Sequence, residues 1–362
     1  MSLTLTVDGP RWREHLLAVA RANPGIVPVA KGNGYGFGIG RLARRAQWLD
    51  DQLRADVPPA RVDQLAVGTY IELPEAAPRF DGDLLVLTPW RPLGSALDLD
   101  SRVAQRVIHT VSRLEDVGDL TGRDPDARFV LEQLTSMRRH GMRRQELREA
   151  RDILSRRHFA GLEGVAMHLP LNTSSHLGEV QRLVNDLVAS DLPTRTVYVS
   201  HLRPDELDRL RSSYPDFTFR PRIGTDLWLG DRGALRVSAT VLDVHRVLRG
   251  EAFGYRGRGA PRDGWLLVVS GGTAHGIGLE APLGDSSLKS RAATLARGGM
   301  DAVGFVRSPF STDGKQRLFA EPPHMQASML FLPDGARVPS IGEDIDVRVR
   351  FTATQFDTIT VT

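Results

Sequence analysis

The chain has 362 residues, 41% hydrophobic and 6% aromatic, with no cysteine and a formal net charge of +3. That length suits two domains, or a barrel with an appendage, and the missing cysteine excludes disulfides, a thiolate nucleophile and cysteine metal sites. The charge is small and interspersed in sign (RDILSRRHFAG, QELREARD), so it leaves no nucleic-acid footprint.

No apolar run approaches the ~20 residues that span a bilayer. The N-terminus MSLTLTVDGPRWREHL lacks the basic-then-apolar order of a secretory signal. A cytoplasmic protein with neither nucleic-acid nor membrane partners is expected, and no metal site. Lysine is scarce: only Lys31, Lys289 and Lys315 occur, which makes the position of each informative.

Apolar, β-branched runs recur through about residue 225. The predicted strands are 26–30, 64–67, 84–87, 106–109, 128–132, 164–168, 196–200 and 217–223. Amphipathic stretches separate most of them. Trp12, Leu16 and Val19 share one helical face before the first strand, as do Leu147, Ala150, Ile153 and Leu154 after the fifth, and Val180, Leu183, Val184 and Leu187 before the seventh. Eight strands alternating with helices over ~220 residues suit a (β/α)8 TIM-type barrel. A doubly wound open sheet is the alternative.

After Gly230 the pattern changes. Val237–Val247 alternates as a strand, and glycine turns then separate apolar runs at 265–269, 301–306, 325–332 and 344–351. This predicts an antiparallel β domain. The expected domains are therefore 1–230 and 231–362.

In IVPVAKGNGYGFGIGRLARRA a strand ends at Lys31, a glycine-rich turn follows, and a helix begins near Gly40. In a parallel barrel the carboxyl ends of strands face the active site. Burial there lowers an amine's pKa, and a neutral amine can form a Schiff base. The glycines would let backbone approach a ligand. The same residues also suit a solvent-facing lysine followed by a plain turn. A nicotinamide site is not supported, because no acidic residue closes a second strand about 20 residues on, and no P-loop is present.

AKGNGYGFG resembles the AKANAYGHG signature of the alanine racemase family. Ala30, Lys31, Asn33, Tyr35, Gly36 and Gly38 match; Gly32 and Gly34 replace alanines, and Phe37 replaces a histidine. The resemblance implies a barrel followed by a C-terminal β domain, with pyridoxal 5′-phosphate (PLP) bonded to Lys31 and its phosphate touched by Tyr35.

FRPRIGTDLWLG is similar to the family's R-x-G-I-x-L-Y-G. Arg222 then matches the arginine facing the pyridine nitrogen, and Gly224 and Thr225 match the phosphate cradle. An arginine does not yield its proton, so the ring nitrogen stays unprotonated, a weaker electron sink that discourages transamination.

Further motifs extend the resemblance. His168, ending LEGVAMHLP, matches a strand-end histidine. LTSMRRHGM is similar to D-T-G-M-x-R-x-G and aligns Arg139 with the arginine near the cofactor's phenolic oxygen and the substrate carboxylate; adjacent Arg138 competes for that role. Glu132 stands where many members carry a carbamylated lysine, and is expected to orient Arg139 by its charge. Ser200 and His201, in VYVSHL, are candidates for the phosphate. RGEAFGYRG resembles G-x-x-V-x-Y-G and makes Tyr255 the second catalytic base. PPHMQASM aligns Met325 with a substrate-contacting methionine. The family's entrance motif I-G-Y-A-D-G is replaced by VSGGTAHGIG, with His275 nearby.

The resemblance implies an amino-acid racemase with Lys31 and Tyr255 on opposite faces of the α-carbon, alanine as the default substrate, and a homodimer with shared sites. Three alternatives stay open: a racemase of another small amino acid, a PLP-dependent decarboxylase, and a non-catalytic PLP-binding homologue. Arg222 and the lack of cysteine weigh against the decarboxylase.

Overall fold

The structure is a computed structural model and describes residues 2–56, 60–171, 175–279 and 306–362. Its residues group into two compact units. One comprises 13–34 and 38–230; the other comprises 1–12, 35–37 and 231–362.

The first unit is built on a closed barrel of parallel strands. They are β2 (Val27–Ala30), β3 (Gln64–Val67), β4 (Asp83–Val86), β5 (Val107–Val111), β6 (Arg128–Gln133), β7 (Leu162–Met167), β8 (Thr196–Val199) and β9 (Thr218–Ile223). All eight predicted strands are present, each displaced by no more than two residues at either end. Closure is direct: Val27 of β2 pairs with Arg222 of β9, and Pro28 with Ile223.

The strands are short and nearly wholly buried, QLAV of β3 being an example. A parallel strand covered on both faces reads as a continuous apolar run rather than an alternating one. Val29, Ala66, Leu85, Ile108, Val130 and Ala166 fill the barrel interior as one cluster. Truncating a residue such as Ile108 to alanine would cost about 2–5 kcal/mol.

The outer helices follow the predicted periodicity. In the helix Arg144–Arg156 the buried residues are Leu147, Ala150 and Leu154. In Leu177–Ser190 they include Val180, Leu183, Val184 and Leu187.

The second unit contains an eight-stranded sheet ordered β13-β16-β15-β14-β17-β10-β1-β18. Its strands are β1 (Leu3–Val7), β10 (Leu235–Val247), β13 (Gly264–Ser270), β14 (Arg307–Thr312), β15 (Lys315–Phe319), β16 (Ala327–Pro333), β17 (Asp344–Val347) and β18 (Thr358–Val361). A separate ribbon joins β11 (Ala252–Phe253) to β12 (Arg258–Gly259). The long β10 serves two neighbourhoods: Leu235–Ala239 pairs with β1, and Val241–Val247 pairs with β13. A register shift between Val241 and Asp243 lies within the β13 pairing, as a β-bulge produces.

One correction follows. The expected 1–230 segment is not all barrel, because Leu3–Val7 lies in the sheet of the second unit between β10 and β18. Its LTLTV alternation buries Leu3, Leu5 and Val7, a period-2 signal that sequence reading passed over. The pairing of β1 with β18 is parallel, while the strand pairings within 231–362 are antiparallel, as expected. Most of the expected strand 301–306, and Lys289, lie outside the described residues.

Candidate active site

The site is built from the carboxyl ends of the barrel strands. Lys31 follows the last residue of β2. Its side chain opens to solvent at the barrel mouth, yet protein crowds it on several sides. Burial pushes its ammonium below the ordinary lysine value; the charges of Arg139 and Arg222 push the same way, and Glu72 opposes them. A concave wall of cations thus favours a neutral amine.

The turn after Lys31 explains its glycines differently from the expectation of a ligand approach. Gly32 and Gly34 have φ near +60°. A Cβ at Gly32 would meet nothing within 4 Å, whereas one at Gly34 would lie 2.8 Å from the Ile39 nitrogen. Backbone conformation therefore demands glycine at Gly32; at Gly34 conformation and a close backbone neighbour both demand it. Tyr35, buried in this turn, also has a positive φ of 54°. Phe37, which replaces the family's histidine, stacks on Trp12 at 4.9 Å and 9°. It is a core residue.

Glu72 is a site residue that sequence reading missed. Its carboxylate accepts from the Gly32 N–H (2.9 Å) and the Gly68 N–H (2.6 Å), tying the turn after β2 to that after β3. The signal was Thr69-x-x-Glu72, which closes a capping box.

Arg222 sits near the end of β9 and is buried. One Nη donates to the Met167 carbonyl at 3.2 Å. Its Nε–H is buried without a partner. A buried unpaired donor costs free energy unless a ligand or water satisfies it.

Arg139 is exposed, and its charge bears on Lys31, Glu132, His168 and Arg222. Arg138 has a φ of 51° and lines a separate polar cavity with Arg143 and Arg182.

Glu132 is buried at the end of β6. Burial raises its pKa, opposed first by Arg222 and then by Arg139. It is expected to orient Arg139 by its charge, and the charges of the two act on each other. Among the described residues the two form no ion pair, and Glu132 Oε2 has no hydrogen-bond partner. On the β6 backbone the glutamate arm is held inside the barrel, where Arg222 is the stronger influence.

His168 and Ser200 follow the ends of β7 and β8. Ser200 Oγ accepts from the Leu169 N–H at 3.2 Å and lies 3.0 Å from His168 Nδ1. In the neutral tautomer that leaves Nδ1 unprotonated, the hydroxyl donates and Nδ1 accepts. Burial, then Arg222, Arg139, His201 and Lys31, push the His168 pKa down to about 3. His201 packs edge-on against His168 at 5.4 Å, with a positive φ of 59°. Ser200 Oγ thus has two protein partners, the Leu169 N–H and His168. Gly224 and Thr225 begin the short helix Thr225–Leu229. Trp228 Nε1 of that helix donates to the Val29 carbonyl at 2.8 Å, fastening it to β2.

In the second unit, Tyr255 lies in the turn between β11 and β12 and is 86% exposed. Its N–H donates to Glu321 Oε2 at 3.0 Å, and its ring packs on His324 at 4.6 Å. His324 Nε2 is 2.7 Å from Glu321 Oε1. Met325 follows and is also exposed. Glu321 and His324 were not read from the sequence as site residues. His275 is structural: its Nδ1 accepts from the Gly272 N–H at 3.1 Å, and its Nε2 is 3.0 Å from Asp357.

Among the described residues no cluster of side chains has the composition of a metal site, and no helix is long and apolar enough to cross a membrane.

No curated protein matches the chain. Solved structures do. It is similar to the alanine racemase of Bartonella henselae with covalently bound pyridoxal phosphate, at 16% identity, TM-score 0.73 and full coverage of both chains (100% each). It is similar to that of Bacillus anthracis at 19% identity and TM-score 0.67, over 95% of this chain and 85% of the other. The alanine racemase of E. faecalis is similar at 17% identity and TM-score 0.66, over 99% and 98%. At such identities the likeness establishes the fold. The family described as "Alanine racemase, N-terminal domain" matches residues 11–201, more than half of the sequence. With that match and this barrel-plus-β-sheet fold, the chain belongs to the alanine racemase family.

Proposed function

We propose that the protein is a PLP-dependent amino-acid racemase that interconverts L- and D-alanine. One observation carries the reading: Lys31 shares the barrel mouth with Arg139 and a buried Arg222 whose Nε–H lacks a partner. This set fits the cofactor. Its phosphate and phenolic oxygen are anionic and its ring nitrogen accepts a hydrogen bond, which are the groups a cationic pocket with one orphaned donor would hold. Lys31 would anchor it, Arg222 would face its ring nitrogen, and Arg139 would face its phenolic oxygen and the substrate carboxylate. When bound, PLP supplies an electron sink that acidifies the α-C–H of an attached amino acid.

The remaining work falls to the chain. Burial, then Arg139 and Arg222, lower the Lys31 pKa and so favour the neutral, proton-accepting form of its Nζ. Arg222 keeps its own proton and withholds it from the ring nitrogen. Neutral His168, fixed by Ser200, adds no charge to the pocket. Tyr255 Oη serves the face of the α-carbon opposite Lys31. Because Tyr255 is exposed in its own unit, the reading includes a two-fold homodimer in which each chain's Tyr255 completes its partner's site.

Incubation of the PLP-loaded protein with L- or D-alanine in deuterium oxide tests this. Both enantiomers should exchange the α-proton and converge on a racemic mixture. Release of carbon dioxide would favour a decarboxylase, and no exchange would favour a non-catalytic binder.

A further inference from the structure

The second unit holds a cavity of about 920 Å³ that the proposed racemisation does not use. Five arginines line it: Arg256, Arg258, Arg307, Arg348 and Arg350. Elsewhere in the same unit, within residues 231–362, three of the described arginines pair with carboxylates. Arg236 meets Asp346 at 3.1 Å, Arg246 meets Asp334 at 2.5 Å and Arg337 meets Glu343 at 2.7 Å. None of the five cavity arginines makes an ion pair or a side-chain hydrogen bond with any of the described residues.

Among the described residues the one acidic residue lining the cavity is Glu321. Its carboxylate is already committed to the Tyr255 N–H and to His324. The wall therefore carries five positive charges against one engaged negative charge. A concave, low-dielectric wall of one sign focuses its field into the space it encloses. Guanidinium groups bind carboxylate and phosphate oxygens in bidentate geometry. Gln316 adds a neutral amide to the lining, its Nε2 held by the Ser308 carbonyl at 2.6 Å. The volume is that of a site for a small molecule rather than for a single inorganic ion.

We propose that this cavity binds a multiply charged small anion bearing phosphate or carboxylate groups. The site neighbours Tyr255 in sequence and in contact, through Arg256 and through Glu321. It stands whether or not the protein racemises alanine.

Isothermal titration of the full-length, PLP-loaded protein in low-salt buffer free of phosphate tests it, with inorganic tripolyphosphate and citrate as separate probes. Saturable binding of one probe molecule per chain is expected, and the tighter probe tells phosphate from carboxylate recognition. Arg348→Gln should weaken binding about tenfold, and Arg256→Gln with Arg348→Gln more than that, since one charge-assisted pair is worth about 1.5–3 kcal/mol. Both side chains are exposed, so neither change threatens the fold. Arg246→Gln, outside the cavity, should leave affinity unchanged. No saturable binding of either probe, unaltered binding in the double variant, or an equal loss in Arg246→Gln would each overturn the proposal.

Discussion

The two units hold their polar residues in opposite ways. At the barrel mouth Lys31, Arg139, Arg222 and His168 act on one another's charge, Arg222 is buried, and a buried guanidinium N–H and a buried carboxylate oxygen are left without partners. Around Tyr255 the order is reversed. Glu321 and His324 are satisfied by each other and by backbone, while the tyrosine ring stands 86% exposed. A site prepared on its own leaves polar groups buried and unsatisfied, waiting for a ligand. A site that awaits a covering surface leaves a well-supported group exposed. On the reading proposed above, the barrel mouth has the first character and the Tyr255 turn the second.

The largest effect should come from removing the prepared amine. Lys31→Ala should lower α-proton exchange by about 10²–10⁴-fold or more, the range for a positioned acid–base group, as read by proton NMR in deuterium oxide. Borohydride reduction of the wild type followed by peptide mapping should place a pyridoxyl group on Lys31. An adduct on Lys315 instead would remove the barrel mouth from the mechanism.

Tyr255→Phe probes the other half of the contrast. It should slow racemisation by about 10²-fold and leave the cofactor spectrum unchanged. Mixing Lys31→Ala with Tyr255→Phe chains then tests the covering surface. If sites are shared, each heterodimer has one site lacking both bases and one intact, so activity should return to at most about half per heterodimer. Verified heterodimers without activity would confine each site to one chain.

Arg222→Gln should have a smaller effect, about tenfold on racemisation, accompanied by conversion of the cofactor to its amine form, visible as an absorbance change. Normal racemisation without that conversion would mean that the orphaned N–H does not face the ring.

The smallest effect concerns acid stability. Folding holds His168 neutral, with its pKa pushed down from 6.5 to about 3. As the pH falls below about 6.5 the unfolded chain takes up a proton that the folded chain refuses. The stability associated with a neutral His168 is thus present above pH 6.5 and is lost toward pH 3. His168→Gln should flatten that decline, so its Tm should fall less between pH 7 and pH 4.5, by about 1–3 °C in circular dichroism melts. An unchanged slope would show that other groups, such as the buried His109, set the acid limit.

Much of this protein was legible in its sequence because the signals are local. Four-residue apolar runs bounded by turns mark barrel strands whatever they pair with, and helical faces such as Val180-Leu183-Val184-Leu187 need only their own periodicity. Lys31 at the end of such a run, in a chain with three lysines, located the site. Tertiary structure alone decided the rest. Leu3–Val7 had the alternation of a strand, but its partners lie more than 200 residues away in β10 and β18, and a short strand does not name its neighbours. The charge of Arg139 bears on Glu132, yet burial and Arg222, both supplied by the fold, weigh more on it. The contact of Ser200 with His168 likewise joins residues from the ends of two strands. The physical reason is common to all three. Periodicity is a property of neighbouring residues, whereas strand pairing, burial and electrostatic fields belong to groups that the folded chain brings together.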